Sequence, residues 1–550
     1  MKRALWIVSF LLLALLLTRV RGALAGSYCG YCSNQQRACD PSVPKCIPCT
    51  SSNQCTQKQR CDVTTGLCRP KGLFNPFAWY DGVLIPLTFL VAGIHNAGGS
   101  GGGTSYITLF VLLAGFQIAA ASANSHAYIF AGMIANVAFN LFQLHVARNT
   151  SRIDWDLAVV TVPFFLTGSA VGVYLNQVLP GYFISLLLAA IMLLLIIYNA
   201  FFGIRITMLE MRLIRASETG ALSADWRVGD AEKASAKTKR HIEEKTTEPT
   251  ETEDLTRDGE ITARVSAEGG SKAIPAAVPL TRVKPRRWWH WIDPKMHSRS
   301  LGELLYWESS WWHWRYWLVL AFLWSVLFVC RYLSGSRKQQ SPVGMPLCGA
   351  VYWVVFAVQQ TVLLGSGFWL LYRARRLEQM RIRLGYPWFV DGTGLGDLRF
   401  TNNFQIWYPL FSLIVGVFDS FTGIGGSDLL MPALYSVCHM HPFTVQSSVS
   451  AIIFVTSSAG AVQFLAYGVL DIDYSLFYGL FALLGSLTGV ILVYYFAKRY
   501  NLAALLILVL VVAFAFNFGT LLYVSAVNLS NVVAAGVGWM TNSVCTPTYH

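Results

Sequence analysis

The sequence predicts an all-α polytopic membrane protein. It is read as two inverted five-segment repeats plus a two-helix insert, about 12 membrane segments in all, behind a small disulfide-rich N-terminal module. Three observations predict this. Of 550 residues, 54% are hydrophobic and only 13% charged, at a mean hydropathy of +0.47, a balance that water-soluble cores do not have. Charge is segregated: residues 205–311 hold 18 of the 42 Lys+Arg and 17 of the 29 Asp+Glu, so long stretches elsewhere are nearly uncharged. Several short motifs also recur in the same order at a nearly constant spacing. The net charge of +13 does not point to nucleic acid, because the basic residues outside 205–311 flank apolar runs, as cytoplasmic loop ends do.

The N-terminus sets the compartment. Met1-Lys2-Arg3, the apolar run 4–17 and Ala23-Leu24-Ala25 read as a secretory signal over residues 1–25, with an uncleaved signal anchor as the alternative. Cys29, Cys32, Cys39, Cys46, Cys49, Cys55, Cys61 and Cys68 then crowd into residues 26–72, a segment too polar to build a core unaided. In an oxidising lumen they form four disulfides of undetermined pairing; the rival is zinc, since Cys29/Cys32 and Cys46/Cys49 have knuckle spacing. Cys330, Cys348, Cys438 and Cys545 are scattered and read as buried thiols.

At about 20 apolar residues per span, helices fall near 81–97, 103–121, 125–147, 156–177 and 181–203, the first repeat (75–203). Residues 204–311 are mixed in charge, read as cytosolic and largely disordered. Their aromatic clusters W-W-H-W at 288–291 and 311–314 read as an interfacial belt. The insert (312–372) supplies helices near 314–334 and 348–372, and a basic loop (373–403) follows. The second repeat (404–524) has segments near 405–422, 428–440, 444–468, 474–496 and 501–524, before a tail, 525–550. An extracytoplasmic start then puts 204–311 and 373–403 inside and the tail outside, where the sequon at Asn528 is open to glycosylation. The protein is expected in a membrane of the secretory pathway. Arg337/Lys338 and the sequon at Asn149 fall on the wrong sides of this scheme.

The duplication is specific. I-D-W-D at 153–156 with Gly168-Ser169-x-x-Gly172 returns as L-D-I-D at 470–473 with Gly485-Ser486-x-x-Gly489, an offset of 317. At an offset of 325, the glycines at 98–103 meet Gly423-Ile-Gly-Gly-Ser-Asp428, and Ser122 and Ser125 meet Ser447 and Ser450. The parity of spans turns the copies upside down relative to each other, which is a transporter architecture.

The chemistry follows from the glycines. Gly98, Gly99, Gly101, Gly102 and Gly103, and in the second copy Gly423, Gly425 and Gly426, cannot hold a helix, so each stretch is expected to break it and open a new one. Bare amides at a helix start attract an anion; the competing reading is close helix packing by small residues. Ser122, Ser125, Ser447 and Ser450 could add neutral donors, or could back-bond to their own helices. Asp419 and Asp428 flank the second break, with His95 near the first, and are candidates for proton coupling; Asp428 could instead cap its helix. Asp154/Asp156 and Asp471/Asp473 read as caps at loop-to-helix junctions.

The glycine break, the serine-bearing helix, the D-x-D junction, the G-S-x-x-G helix and their duplication resemble the sulfite exporter TauE/SafE family. The stretch N-L-F-Q-L-H-V-A-R-N-T-S-R-I-D-W-D-L is similar to its eukaryotic members. The resemblance covers about 75–203 and 404–524. It implies movement of sulfite, sulfonates or related anions, usually outward and with a proton link, at the glycines and serines named above. One departure is that the family's proline after the break is Pro432 in the second copy but Ile107 in the first. The expected partners are the lipid bilayer, a small inorganic or organosulfur anion and protons, with a homo-oligomer left open; no cofactor, metal or catalytic residue is expected. H-E-x-x-H and phosphate-loop motifs are absent, which argues against an enzyme. The alternative is a membrane receptor or scaffold that uses the cysteine-rich module for partner binding.

Overall fold

In a computed structural model the described residues are 38–40, 45–55, 59–63, 66–70, 72–74, 77–145, 150–218, 295, 298, 300–309, 314–335, 341–390, 394–500 and 505–534. The expected signal segment, Cys29, Cys32, Cys545, the sequon at Asn149 and most of 204–311 lie outside them.

Two small hairpins come first. β1 (Ala38–Asp40) pairs with β2 (Lys45–Ile47), and β3 (Gln59–Asp62) with β4 (Leu67–Pro70). Disulfides Cys49–Cys61 and Cys55–Cys68 tie them, and Cys46 is also disulfide-bonded. Thiols spent in disulfides cannot ligate zinc, so the disulfide reading holds for these residues. Cys330 and Cys438 are free thiols as expected, though only partly buried, and Cys348 is not free: it is disulfide-bonded, in the turn before a helix.

The rest is helical. α1 (Trp79–Gly98), α2 (Gly103–Leu109, continued by a π turn to Ala114), α3 (Ile118–Leu141), α4 (Trp155–Val178) and α5 (Gly181–Glu218) form the first half. α6 (Leu301–Ser309), α7 (Trp314–Ser334) and α8 (Ala350–Arg383) follow. The second half is α9 (Asn402–Thr422), α10 (Ser427–Ser436), α11 (Pro442–Ala466), α12 (Ile472–Tyr500) and α13 (Leu505–Ala534). Among the described residues, seven helices are long and apolar enough to cross a membrane: α4, α5, α7, α8, α9, α11 and α12. On α12, Leu476, Leu480, Leu484, Leu487 and Ile491 lie exposed at helical spacing, a lipid-facing stripe rather than a water-facing one.

Two expected segments are short. The stretch read as 103–121 stops at Ala114, because Gly115 turns left-handed at φ +71°. The one read as 428–440 stops at Ser436, with His439 left-handed soon after. At 1.5 Å per residue these are ~18 Å and ~15 Å long, about half of a 30 Å hydrocarbon core. α13 also runs on to Ala534, so Asn528 lies within a helix rather than in a tail.

The glycine pairs of the repeat explain the packing. A β-carbon on Gly168 would strike the Leu413 carbonyl and one on Gly172 that of Val417, so α4 lies against α9 with residue numbers rising together. Gly485 and Gly489 meet the Phe89 and Gly93 carbonyls in the same way, which lays α12 parallel to α1. α3 and α11, which carry the equivalent serines, run antiparallel: Gln446 Nε2 donates to Asn136 Oδ1 at 3.1 Å, Ser447 Oγ to Asn140 Oδ1 at 2.9 Å, and Gly460 faces His126. Only residues without side chains let backbones approach so closely. Gly172→Val is therefore expected to cost at least about 1–3 kcal/mol by overpacking against a backbone that cannot yield. A lower melting temperature of the purified protein checks it, and an unchanged one would show that the contact is loose.

Candidate functional site

Both glycine stretches interrupt a helix. α1 ends at Gly98, and Gly99, Gly101 and Gly102 take φ of +84°, +77° and +78°, Gly102 being the residue before α2. α9 ends at Thr422, Gly423 and Gly425 take +75° and +80°, and Gly426 precedes α10. Left-handed backbone costs a residue with a β-carbon about 1–2 kcal/mol, which is why glycine stands there. The two breaks touch. Ser427 Oγ donates to the Ser100 carbonyl, Ser125 Oγ donates to the Gly423 carbonyl at 3.1 Å, and a β-carbon on Gly103 would strike the carbonyls of Gly423 and Ile424. Residues 95–103 and 419–428 are all buried, so this junction is closed.

The first break leaves donors unused. The Gly99 and Ser100 amides bond back to the Asn96 and His95 carbonyls at 3.0 and 2.9 Å, but those of residues 101–105 donate to no acceptor among the described residues. Adjacent free N–H groups next to left-handed glycines are able to hold an anion. Side chains fix the backbone here. Asn517 of α13 donates to Thr104 Oγ1 at 2.6 Å and accepts from Ser105 Oγ. His95 spans the break, with Nδ1 2.8 Å from Ser100 Oγ and Nε2 2.8 Å from Ser105 Oγ. Because Ser105 gives its proton to Asn517, it accepts from Nε2–H, and Nδ1 accepts from Ser100. His95 is thus a strap across the break with both nitrogens engaged, not a freely exchanging proton carrier.

The second break is not bare. Asp419 Oδ1 accepts from the Gly426 amide at 2.6 Å and lies against that of Gly425, so the chain's own carboxylate fills the position an outside anion would take. Asp428 does not cap α10: its side chain is fully buried and neither carboxylate oxygen has a hydrogen-bond partner among the described residues. The serines divide. Ser125 binds the Ser122 and Gly423 carbonyls, Ser447 the Phe443 carbonyl and Asn140, and Ser450 the Gln446 carbonyl at 2.6 Å. Of these four serines only Ser122, whose hydroxyl faces Gly423, is unpartnered among the described residues, as is the whole Asn96 side-chain amide just before the first break.

The sequence model of the family described as Sulfite exporter TauE/SafE matches residues 70–240 and 309–516. The chain belongs to that family. It is similar to Sulfite exporter TauE/SafE family protein 5 of Arabidopsis thaliana, at 24% identity over 451 residues covering 82% of each chain. Family protein 2 of the same plant is 23% identical over 456 residues, 82% of this chain and 84% of the relative. No solved structure matches. The TauE/SafE match includes residues 309–403, which the sequence resemblance had left out, so the two-helix insert belongs to the family region.

That insert carries a site the sequence reading missed. Asp154 caps α4 as expected, accepting from the Leu157 amide at 3.0 Å, but Asp156 does not cap. Its carboxylate accepts from Tyr316 Oη (2.7 Å), Arg373 Nη1 (3.3 Å) and Arg381 Nη2 (3.0 Å), with Lys295 Nζ 3.6 Å away. Arg381 also donates to Glu308 Oε1 at 2.7 Å, and Tyr386 to Glu308 Oε2 at 2.5 Å. An acid inside an apolar run facing a basic stretch is a readable cue, but distance in the chain hid the partners. Arg381→Ala would take a charged partner from two buried carboxylates at a cost of about 3–5 kcal/mol, read as lost thermal stability. Burial alone would raise the Glu308 carboxyl, yet Arg381 and Lys295 outweigh it and hold it below the usual range. A depressed acid contributes stability above its unfolded pKa, roughly 4.3, and loses it as pH falls further. The stability difference between wild type and Glu308→Gln should therefore be flat from pH 6 to 8 and shrink only below about 4.

Proposed function

We propose that this membrane protein is a secondary transporter that exports a small sulfur-containing anion, sulfite or an organosulfonate. The names of its relatives motivate the substrate class, and the five adjacent amides of residues 101–105, unpaired among the described residues, carry the reading. A pyramidal oxyanion accepts several N–H bonds at once, and Ser122 and Asn96 offer further neutral donors nearby. Neutral donors hold an anion without the fixed counter-charge that would trap it. Gly98, Gly99 and Gly103 bring the backbone close; Gly423, Gly425 and Gly426 form the facing wall, with Ser125 as a strut and Ser447 and Ser450 as braces of α11.

In this scheme the copies are inverted, the cysteine-rich module and the C-terminal end are extracytoplasmic, and residues 204–311 and 373–403 face the cytosol. The closed junction opens alternately to either side. Asp428, a buried carboxylate without a partner, is the group that exchanges a proton with the anion's passage. Proteoliposomes containing the full chain should take up labelled sulfite saturably, and faster under an imposed pH gradient. Sulfite and sulfonates moving no faster than through empty liposomes would end the proposal.

A further inference from the structure

Two cavities meet at one arginine. The larger, about 70 Å³, is lined by His145, Ser151, Asp156, Lys295, Arg381 and Thr444 among others, at the end of the molecule where α3 leads into α4. The smaller, about 10 Å³, is lined by Ala97, Phe139, Phe443, Gln446, Val490 and Tyr494. Arg152 lines both. The smaller cavity ends beside the first glycine break: Ala97 adjoins Gly98, and Gln446, which also lines it, packs on Gly99, where a β-carbon would lie 3.0 Å from Gln446 Cγ. Arg152 therefore stands between a polar chamber and the free amides.

Its side chain is held but not neutralised. Nε donates to the Leu144 carbonyl at 3.2 Å and Nη2 to Tyr494 Oη at 3.3 Å, while the guanidinium lies 5.0 Å from the Tyr494 ring centroid and 5.4 Å from that of Phe443. Arg152 is 5% exposed and bridges no carboxylate among the described residues. The acids around the chamber are engaged elsewhere. Asp397 pairs with His145 at 3.1 Å, Asp156 with Lys295, Arg373 and Arg381, Glu308 with Arg381 and Tyr386, and Asp154 with the Leu157 amide. Nη1 of Arg152 has no partner among the described residues. A buried guanidinium with two donors fixed, two rings packed on it and no counter-ion is arranged to receive an anion.

We propose that Arg152 is a staging site for a small oxyanion, taking it from the 70 Å³ chamber and passing it along the Ala97–Gln446 seam to the first glycine break. The inference rests on the transport reading above and adds the entry route from the face carrying α3–α4, the cytosolic one in that scheme. Arg–oxyanion pairing is bidentate and strong, whereas a lysine there supplies charge without the fork.

The test uses full-length protein in liposomes with sulfite presented to one face at a time. Arg152→Gln should raise KM from the chamber face at least about tenfold, as loss of a charged hydrogen bond predicts. It should leave KM from the opposite face and the maximal rate from the chamber face near wild type, while the maximal rate from the opposite face falls in proportion, since the ratio of maximal rate to KM stays equal for the two directions; Arg152→Lys should be intermediate. A merely structural arginine would change KM at both faces together or lower the rates alone, and either result overturns the proposal. An unchanged KM in Arg152→Gln also overturns it. Where Arg152→Gln fails to fold, Arg152→Lys decides, since wild-type KM from the chamber face in that variant excludes a forked contact. Wild-type protein that moves no sulfite or sulfonate from either face instead defeats the transport reading on which this rests.

Discussion

Gly101→Val should reduce transport to the level of empty liposomes while the protein still folds. Gly101 sits at φ +77°, where a β-branched residue is strained, so the variant either holds a costly conformation or swings its amide out of line with those of residues 102–105. The atoms a new β-carbon would meet are Ile129 Cγ2 at 3.0 Å and Met133 Cε at 3.4 Å, ends of side chains that can shift. Strain plus modest repacking comes to roughly 2–4 kcal/mol. That is survivable for a chain with this much buried helix, but fatal to a donor array that works only when its members point together. Gly426 is a poorer probe of the same idea, because a β-carbon there would run into the Phe165 ring and disturb the fold as well. Comparison with Gly172→Val separates the two uses of glycine. Both lose stability, but only the break variant should lose transport out of proportion to it. Equal losses in a side-by-side flux and melting measurement would return the break glycines to a packing role.

Much of this was legible from residue types alone because membrane helices obey a narrow grammar. Length, apolarity and glycine placed α4, α7, α9 and α12 to within a few residues, whereas the recurrence of Gly-Ser-x-x-Gly marked the duplication without saying that these glycines make the contacts of α4 with α9 and α12 with α1. Hydropathy could not see that α2 and α10 stop halfway, since the stop at Gly115 is a backbone conformation and not a change in polarity. Symmetry misled on the site itself. Equivalent glycines suggested equivalent amide clusters, but Asp419, whose counterpart in the first copy is Ile94, folds back onto Gly426 and fills the second one. The serines were over-read for a related reason: a hydroxyl in a helix has a carbonyl one turn back within reach, and Ser447 and Ser450 take it. Asn517 was missed and Asp156 was read as a cap because their partners are far away in the chain, and nothing local marks a side chain whose purpose is to hold a distant one.

Asp428→Asn should split function from stability in the opposite sense to Gly101→Val. In the wild type both Asp428 oxygens are buried without a partner, an arrangement that costs free energy and that evolution of a static core would remove. The amide has the same shape and no charge to desolvate, so the variant should melt at the wild-type temperature or above it. Transport should respond quite differently. Without a titrating group at this position, a pH gradient can no longer drive net accumulation of sulfite, whereas exchange of sulfite for sulfite at equal pH, which needs no net proton movement, should continue. Asp419 provides the contrast. Its carboxylate caps the Gly426 amide at 2.6 Å, so Asp419→Ala should destabilise by about 1–3 kcal/mol for the stranded donor and impair exchange as well as gradient-driven uptake. Gradient-driven uptake by Asp428→Asn at the wild-type rate would remove Asp428 from the proton path. A marked loss of stability in the same variant would mean that its carboxylate has a structural partner after all.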